Sequence, residues 1–401
     1  MDKALADLIR ISNTTGRDSA LVQGGGGNTS VKTADGKYMY IKASGTALKD
    51  MNAKQGWRRL RLDAVLSVIE DKSLAKLDAS QREPAVVDRL LLACDDKVRS
   101  AARPSVESHL HAFLERCVIH LHPIVVAAYV NAKNGRAQID KLFKSEKFQL
   151  VWVPYTDPGF MLAKRISKLV KKYQQQHGRK PAVMILEKHG LFVTAQTPDA
   201  ALRLVRKVIK LCSSKLKAPK ECTPSPKTAA LRLRSGQALR LPPGEIAAAK
   251  AAIGKAVLDA TGQSVSVTYY SNKSVAAFMA RKDAAELLAT PALNPDELVY
   301  ASGSAMWLEN YDAKTITRKL KSLVRRGQKP AAAFVVKGLG LFVAADEKAA
   351  PLIAEITTSS LVIRMHAAKF GGVLALNKRQ QDFINNWESE AFRKKLVSKK
   401  K

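Results

Sequence analysis

Histidines are concentrated where this chain could bind a metal ion. The chain has seven histidines, and five of them lie in its first half beside segments rich in strand-forming residues. These five are His109, His111, His120, His122 and His189. In the run VIHLHP, His120 and His122 are two positions apart, and side chains two apart on a β-strand point to the same face. One divalent ion can therefore bind both imidazoles.

Two further residues can complete such a site. His189 follows the apolar run AVMIL, so a strand would deliver it to the rim of a cleft. Glu107, in RPSVESHLH, can supply the fourth ligand of the tetrahedral shell that zinc prefers, or act as a base. We expect His109 and His111 to be buried or to support the ligands. The alternative, buried imidazoles that are hydrogen-bonded without metal, stays open at this point.

Three polar turns offer contacts for an anion. The segment LVQGGGGNTSVK exposes backbone amides and short polar side chains, but it lacks the GK[ST] ending of a Walker loop and is not a dinucleotide fingerprint. The turns ASGT, from Ala43, and PS, from Pro104, add hydroxyl groups. The candidate phosphate-binding residues are Gly27, Asn28, Thr29, Ser44, Gly45 and Ser105. If the turns converge, they would hold a phosphate near the metal; flexible hairpin turns are the alternative.

The elements that must position these residues indicate an α/β fold. Helical patterns alternate with β-rich runs over residues 1–218, which predicts a mixed α/β domain. Residues 219–243 contain five prolines and no sustained periodicity, so they are predicted to be a linker or insertion. A second unit is expected over residues 244–401, ending in a basic tail.

A segment of the second unit is similar in sequence to a segment of the first. The run EKHGLFVTA around His189 returns as KGLGLFVAA around Leu339, 150 positions later, and the preceding helical segments match at the same offset. This spacing indicates a duplicated α/β unit. Because Leu339 replaces the histidine and the second segment has no HxH pair, only the first copy is expected to bind metal.

Composition limits the choice of partners. The formal net charge of +32 attracts polyanions, but the basic stretches do not interleave with aromatic residues, so nucleic acid is not expected as the main partner. No apolar run approaches the roughly 18 residues that cross a bilayer, so no membrane association and a cytoplasmic location are expected. The four cysteines form no close pair, which argues against a disulfide framework.

Taken in order, these motifs resemble the class II aldolase and adducin head-domain family. Its pattern of a GNTS loop, SG turn, PSxE, HxH and strand-end HG occurs here over about the first 210 residues. The resemblance implies an αβα fold with a central, mostly antiparallel sheet, zinc or another divalent ion on His120, His122, His189 and Glu107, and a homo-oligomer. Relatives place substrate-facing aromatic residues near Tyr155, which makes it a candidate proton donor. One departure is Val106, where relatives often have a second serine.

The resemblance also implies an activity. We expect reversible aldol cleavage of a small sugar phosphate, a ketose 1-phosphate, through a metal-stabilised enediolate. A sugar-phosphate epimerase or dehydratase using the same site, and a non-catalytic adducin-like interaction module, are the alternatives. The second unit resembles part of longer relatives that continue into a short-chain dehydrogenase domain. Since the GLG beside Leu339 is no dinucleotide fingerprint, no nicotinamide cofactor is expected.

Overall fold

The chain divides into two compact units. The computed structural model describes residues 1–96, 102–146, 148, 150–216, 231–232, 238–239 and 243–387. The first unit contains Met1–Val130, Asn134–Lys217 and the chain from Asp382 onward, and the second contains Asn131–Lys133 and Ala218–Gln381. The sequence pattern predicts a second unit over all of 244–401. The described residues from Asp382 instead group with the first, because Trp387 buries its ring against Val87 and Val106.

Over the described residues up to Leu216, the first unit contains eight helices and seven strands. The helices are α1 (Lys3–Gly16), α2 (Leu62–Glu70), α3 (Ala79–Leu92), α4 (Ser108–Ala112), α5 (Ile124–Val130), α6 (Gly135–Phe143), α7 (Phe160–His177) and α8 (Pro198–Ser213). The strands are β1 (Asn28–Lys32), β2 (Tyr38–Lys42), β3 (Trp57–Arg61), β4 (Cys117–Leu121), β5 (Leu150–Val153), β6 (Val183–Leu186) and β7 (Gly190–Ala195). Two single 3₁₀ turns, Leu48–Asp50 and Leu74–Lys76, join them.

All seven strands form one sheet in the order β3-β2-β1-β4-β7-β6-β5. Every neighbouring pair is antiparallel except β5 and β6, which run parallel with α7 as their crossover. A parallel pair needs such a long connection, whereas antiparallel neighbours can be joined by short turns. The predicted α/β fold with a mostly antiparallel central sheet is confirmed.

Helices cover both faces of this sheet. One face packs on α2, α3, α4 and α7 through a continuous core that includes Ile41, Val118, Ile166 and Phe192. The other face carries α1, α5 and α8. Each large aliphatic or aromatic side chain fully buried in this way contributes about 1.5–3 kcal/mol. The three layers hold the strand ends rigidly, which is what a multi-ligand site requires.

Local sequence signals fix the ends of the helices. At the start of α8, the Thr197 side chain accepts a hydrogen bond from the Ala200 amide, and Pro198 takes the first helical position, where its missing N–H has no cost. Helix α7 ends at Gly178, which adopts a left-handed conformation at φ 68°. The strands flanking these helices are therefore held in a defined register.

The remaining elements form the second unit and the end of the described chain. The strands are β8 (Leu231–Arg232), β9 (Ala238–Leu239), β10 (Val267–Tyr270), β11 (Met306–Leu308), β12 (Ala333–Val336) and β13 (Gly340–Ala344). The helices are α9 (Pro243–Thr261), α10 (Lys273–Met279), α11 (Ala284–Ala289), α12 (Pro295–Tyr300), α13 (Ala313–Arg325), α14 (Ala350–Ala367) and α15 (Lys378–Asn386), with a 3₁₀ turn at Ala368–Phe370. The predicted linker 219–243 lies mostly outside the described residues.

The second sheet repeats part of the first. Its order is β10-β13-β12-β11, with two antiparallel pairs and a parallel pair between β11 and β12. The strands β4-β7-β6-β5 have the same order and the same directions. One face of the second sheet packs on α9 and α13 and the other on α10 and α14, so this unit is also an αβα sandwich.

Candidate metal centre

Three neighbouring strands bring the predicted ligands to one end of the first sheet. His120 lies on β4, directly opposite Asn28 of β1 and Phe192 of β7. His122 follows the last residue of β4, and His189 lies in the turn between β6 and β7. Because β4 runs antiparallel to β1 and β7, its carboxyl end meets their amino ends. Residues distant along the chain therefore meet at one corner of the sheet.

The three imidazoles form a tight cluster. The Nε2 atoms of His120 and His122 are 3.1 Å apart. The candidate ligand atoms of these two residues and of His189 all lie within 4.8 Å of one another. His120 and His122 are buried, whereas 13% of the His189 side chain is exposed. The cluster is therefore enclosed by the sheet and reached by solvent on the His189 side.

The ring of His120 is fixed in a form that suits a ligand. Its Nδ1 lies 3.0 Å from the carbonyl oxygen of Leu191, and its ring stacks on Phe192 with centroids 4.0 Å apart. An Nδ1–H that donates to a carbonyl leaves Nε2 with its lone pair directed at the cluster. Burial, followed by the neighbouring His122 and His189, lowers the pKa of His120 well below its ordinary value. The imidazole is thus neutral, as metal binding requires.

Glu107 faces the same cluster from the segment before α4. Its Oε2 is 3.6 Å from His120 Nε2, and its Oε1 is 3.9 Å from His189 Nε2. The side-chain amide of Asn28 donates a hydrogen bond of 2.6 Å to Oε2. The backbone amide of Glu107 donates to the hydroxyl of Ser105 at 3.3 Å. The carboxylate is therefore buried, oriented and shared between two of the three histidines.

Two glycines permit the close packing around the cluster. A Cβ atom on Gly27, whose φ is 59°, would lie 2.6 Å from the carbonyl oxygen of His120. A Cβ atom on Gly190 would lie 2.4 Å from the carbonyl oxygen of Leu121 and 2.8 Å from Cδ2 of His122. Any larger residue would displace a strand or a ligand. These contacts explain why a glycine precedes β1 and why β7 begins with a glycine.

The arrangement fits a divalent ion of the zinc type. Two nitrogen ligands about 2.05 Å from a tetrahedral ion lie about 3.3 Å apart, close to the separation of the His120 and His122 nitrogens. Three imidazoles and one carboxylate are also a donor set that zinc, manganese or cobalt accepts. His120, His122 and His189 would hold the ion, and Glu107 is placed to be a fourth ligand or a base.

The predicted anion-binding turns lie together beside the cluster. The backbone amide of Ser44 donates to the Arg103 carbonyl at 2.8 Å, and the Ser44 hydroxyl donates to the Pro104 carbonyl at 3.1 Å. The ammonium group of Lys42 donates to the carbonyl of Gly25 at 2.9 Å, joining the end of β2 to the glycine-rich loop. The loops that carry Gly27, Ser44 and Ser105 therefore surround one region.

Comparison with known proteins identifies the family. The profile of the class II aldolase and adducin N-terminal domain matches residues 6–216, which is more than half of the chain. The chain belongs to the class II aldolase and adducin family. The family resemblance predicted from the sequence motifs is confirmed.

Relatives of this aldolase-family chain match its first half. An uncharacterized oxidoreductase, YuxG of Bacillus subtilis strain 168, is 31% identical over 218 residues, covering 52% of this chain and 29% of its own length. The chain thus spans under a third of that relative. The N-terminal class II aldolase domain of a conserved protein from Thermoplasma acidophilum is 28% identical, with a TM-score of 0.45, covering 54% of this chain and 95% of that one. An L-fuculose 1-phosphate aldolase from Glaciozyma antarctica PI12 is 12% identical, with a TM-score of 0.35 and coverages of 54% and 72%.

The hydroxyl groups of two predicted site residues of this aldolase-family chain, Thr29 and Tyr155, contact residues outside the histidine cluster. The hydroxyl of Thr29 contacts that of Ser12 on α1 at 2.6 Å, on the sheet face opposite Asn28, so the structure does not bring it to the cluster. Successive side chains of β1 alternate between faces, which is the physical reason. Tyr155 follows β5, and its hydroxyl donates to Asp157 at 3.1 Å. Its role as a proton donor stays a prediction.

Two buried lysines near the aldolase-family site lie outside the residues predicted from the sequence. Lys42 is buried beside the glycine-rich loop, and its position in the strand YMYIK was the available signal. Lys188, next to His189, is also buried, and its φ of 54° lies in the left-handed region. Its ammonium group lies 5.3 Å from the centroid of the Tyr155 ring, and burial lowers the pKa of Lys188. Nothing in the local sequence signals that backbone conformation.

Among the described residues, no helix combines the length and the apolar character needed to cross a bilayer.

Proposed function

We propose that this chain is a divalent-metal-dependent lyase of the class II aldolase type, which reversibly cleaves a ketose 1-phosphate. The observation that carries the proposal is the meeting of three imidazoles and one carboxylate at a partly exposed corner of the sheet. We further propose zinc as the ion, a homo-oligomeric assembly and a cytoplasmic location.

Charge stabilisation is the main requirement of aldol chemistry. Breaking the carbon–carbon bond leaves negative charge on the carbonyl oxygen of the ketone fragment, and a bound divalent ion would supply the Lewis acid that stabilises it. His120, His122 and His189 would hold that ion. Because burial keeps the His120 ring neutral, the site does not depend on deprotonating this ligand near neutral pH.

Glu107 is the proposed proton carrier. Asn28 donates to Oε2 and so fixes the plane of the carboxylate, while Oε1 lies on the side of His189, where the cluster is most exposed. The Oδ1 atom of Asn28 has no hydrogen-bond partner among the described residues, although it is buried. It is therefore placed to accept a hydrogen bond from a substrate hydroxyl. A positioned general base of this kind contributes about 10²–10⁴-fold to a rate.

The neighbouring turns are proposed to bind the phosphate group. The Gly27 loop, the Ser44-Gly45 turn and the Ser105 turn surround one region, and the buried Lys42 adds positive charge there. Backbone amides and hydroxyl groups beside an ammonium group are typical ligands for a phosphate monoester. The same residues would serve an epimerase or a dehydratase, so the products must be identified directly.

The first experiment tests the metal site. Protein purified without added metal is analysed by mass spectrometry for the wild type and for His120→Ala combined with His122→Ala. About one divalent ion per chain is expected in the wild type and almost none in the double variant. His177→Ala, on the exposed surface of α7, is the control and should retain its metal. Equal metal content in all three proteins would refute the assignment.

The second experiment tests the reaction. Ketose 1-phosphates are screened for release of an aldehyde, and Glu107→Gln is compared with the wild type. Glutamine keeps the size of the side chain but cannot accept a proton, so turnover should fall about 10²–10⁴-fold while the metal content is retained. Unchanged turnover would remove Glu107 from this role. Epimerised or dehydrated products in place of the aldehyde would refute the lyase proposal.

A further inference from the structure

A basic groove lies on the second unit, and none of its lining residues belongs to the candidate metal centre. Helices α9 and α13 pack side by side and leave a groove of about 330 Å³ between their exposed edges. The charged residues that line it are Lys255, Asp259, Lys314, Arg318, Lys321 and Arg325. Five positive charges therefore face one negative charge, and the negative charge is 3.7 Å from the ammonium group of Lys255. We call these residues and their surface the basic groove.

Four of the positive charges form a line along α13. Lys314, Arg318, Lys321 and Arg325 are spaced by four, three and four residues, which places them on one face of the helix. All four are exposed, and none forms a salt bridge with a carboxylate of the described residues. Like charges at this spacing repel one another and destabilise a helix. The line is thus unfavourable for the free protein and becomes favourable when an anion binds.

The length of the line decides what kind of anion fits. The eleven residue steps of α-helix from Lys314 to Arg325 extend about 16 Å. A single phosphate monoester would contact only one or two of the four side chains. Each strand of a nucleic-acid duplex carries one phosphate per ~3.4 Å of helix axis, so the line can face several of them at once.

The side chains of the groove argue against binding of single-stranded nucleic acid. None of its lining residues is aromatic, whereas binding of single strands relies on stacking of bases against aromatic rings. Lysine and arginine without such rings contact phosphates and carry no sequence information. We propose that the basic groove binds the phosphate backbone of double-stranded nucleic acid without reading its base sequence. This proposal is independent of the proposed lyase activity.

The chain offers a closely matched control. Helix α7 of the first unit precedes β6 as α13 precedes β12, and it also exposes an arginine and a lysine three residues apart, Arg165 and Lys168. The groove variant Arg318→Gln with Lys321→Gln and the control Arg165→Gln with Lys168→Gln remove the same residue types and the same charge. Glutamine is close to both residues in helix propensity, so both proteins should fold.

The experiment measures binding of a fluorescent duplex DNA of arbitrary sequence to the full-length protein between 50 and 200 mM salt. Each phosphate contact adds about 0.9 to the slope of log affinity against log salt, so the groove variant should have a slope smaller by about 1.8. Between these salt concentrations the wild type should lose about tenfold more affinity than the groove variant. The control variant should behave as the wild type, and circular dichroism checks that all three are folded.

Several outcomes would overturn the proposal. Equal losses of DNA affinity in the groove and control variants would show that DNA binding depends on the net charge of the protein and not on the groove. Unchanged DNA affinity in both variants would show that DNA binds at another surface. Tighter binding of a single strand or of inorganic polyphosphate with the same number of phosphates would exclude the duplex as the preferred partner. Competition by millimolar inorganic phosphate would indicate a site for a small anion.

Discussion

The two sheets share a framework, but only one carries the ligand cluster. The pairing of β6 with β7 and of β12 with β13 is identical at an offset of 150 positions: Leu186 lies opposite Gly190, and Val336 lies opposite Gly340. The turn before each glycine bears His189 in the first sheet and Leu339 in the second. The shared strand pairing therefore places a side chain at the same corner of each sheet, and the residue type at that position determines whether it can bind a metal ion.

The other ligand positions differ in the same way. His120 lies opposite Phe192, and Tyr269 lies opposite Phe342 in the second sheet. The hydroxyl of Tyr269 donates to the carbonyl of Leu339 at 2.9 Å, so the second sheet closes this corner with its own hydrogen bond. A phenol group replaces an imidazole, and a structural contact replaces a possible metal ligand.

The backbone of the turn carries a further difference. Lys188 has a φ of 54°, and its counterpart in the second copy is Gly338, with a φ of 78°. For a residue other than glycine, the left-handed region costs about 1–2 kcal/mol. The first copy thus accepts strain next to His189, and the second avoids it. Strain of this kind is concentrated at functional sites.

The largest expected effect comes from exchanging the residues that distinguish the two corners. His189→Leu gives the first sheet the residue of the second, and turnover should fall about a thousandfold, because losing a Lewis acid that contributes several kcal/mol costs tenfold per 1.36 kcal/mol. The metal content should fall with it. Turnover of the ketose 1-phosphate and metal per chain are measured together.

The reverse exchange is the control. Leu339→His should add no metal, since Tyr269 and Ser271 leave its imidazole without a second histidine. Full activity of His189→Leu, or a second ion in Leu339→His, would contradict the conclusion that side chains rather than the framework distinguish the corners.

A smaller effect is expected from the glycines that begin β7 and β13. A Cβ on Gly190 would lie 2.8 Å from the His122 ring, and a Cβ on Gly340 would lie 2.8 Å from the Tyr269 ring. Gly190→Ala and Gly340→Ala should each lower the free energy of unfolding by about 1–3 kcal/mol, the usual cost of overpacking. Only Gly190→Ala should also lower the metal content, because only it displaces a ligand. Denaturant unfolding and metal analysis separate the two effects, and equal metal loss in both variants would contradict this.

The two-residue repeat of a β-strand predicts part of the metal site. His120 and His122 are expected to share a face because they are two apart, and His189 is expected at the rim of a cleft because it follows the apolar run AVMIL. The family pattern then supports His189 and Glu107 as members of the same set. The same repeat explains the direction of the Thr29 side chain: Thr29 follows Asn28 immediately, so its hydroxyl points to α1. A contact of Thr29 with the phosphate stays a prediction.

Other features depend on register and long-range packing, which local sequence does not encode. A constant offset of 150 pairs His120 with Tyr270, whereas the strand register places Tyr269 in that position. The hydrogen bond from Asn28 to Glu107 joins residues on separate elements, and it exists only because β1 pairs with β4. The return of Trp387 to the first unit likewise arises from tertiary contacts alone.

At neutral pH the smallest expected effect is a difference in acid sensitivity between the two sheets, because it develops only as the pH is lowered. Burial lowers the pKa of His111, on α4 beside the first sheet, from 6.5 to about 3, and its Nδ1 lies 2.8 Å from the Ser30 hydroxyl. The unfolded chain gains a proton at His111 below pH 6.5, and the folded chain does not. Stability is therefore complete above pH 6.5 and falls by about 1.4 kcal/mol per pH unit as the pH drops toward 3.

Hydrogen exchange of metal-free protein measures this difference strand by strand. Amides of β1 and β4 should lose protection from pH 6.5 to 4.5, and His111→Gln should reduce the dependence by about 1.4 kcal/mol per pH unit. The exposed His177→Gln should leave it unchanged. The strands β12 and β13, which contain no histidine, should respond less than β1 and β4. Equal pH dependence of the two sheets would mean that the buried imidazoles do not set the acid sensitivity, and that the sheets differ only in their ligands.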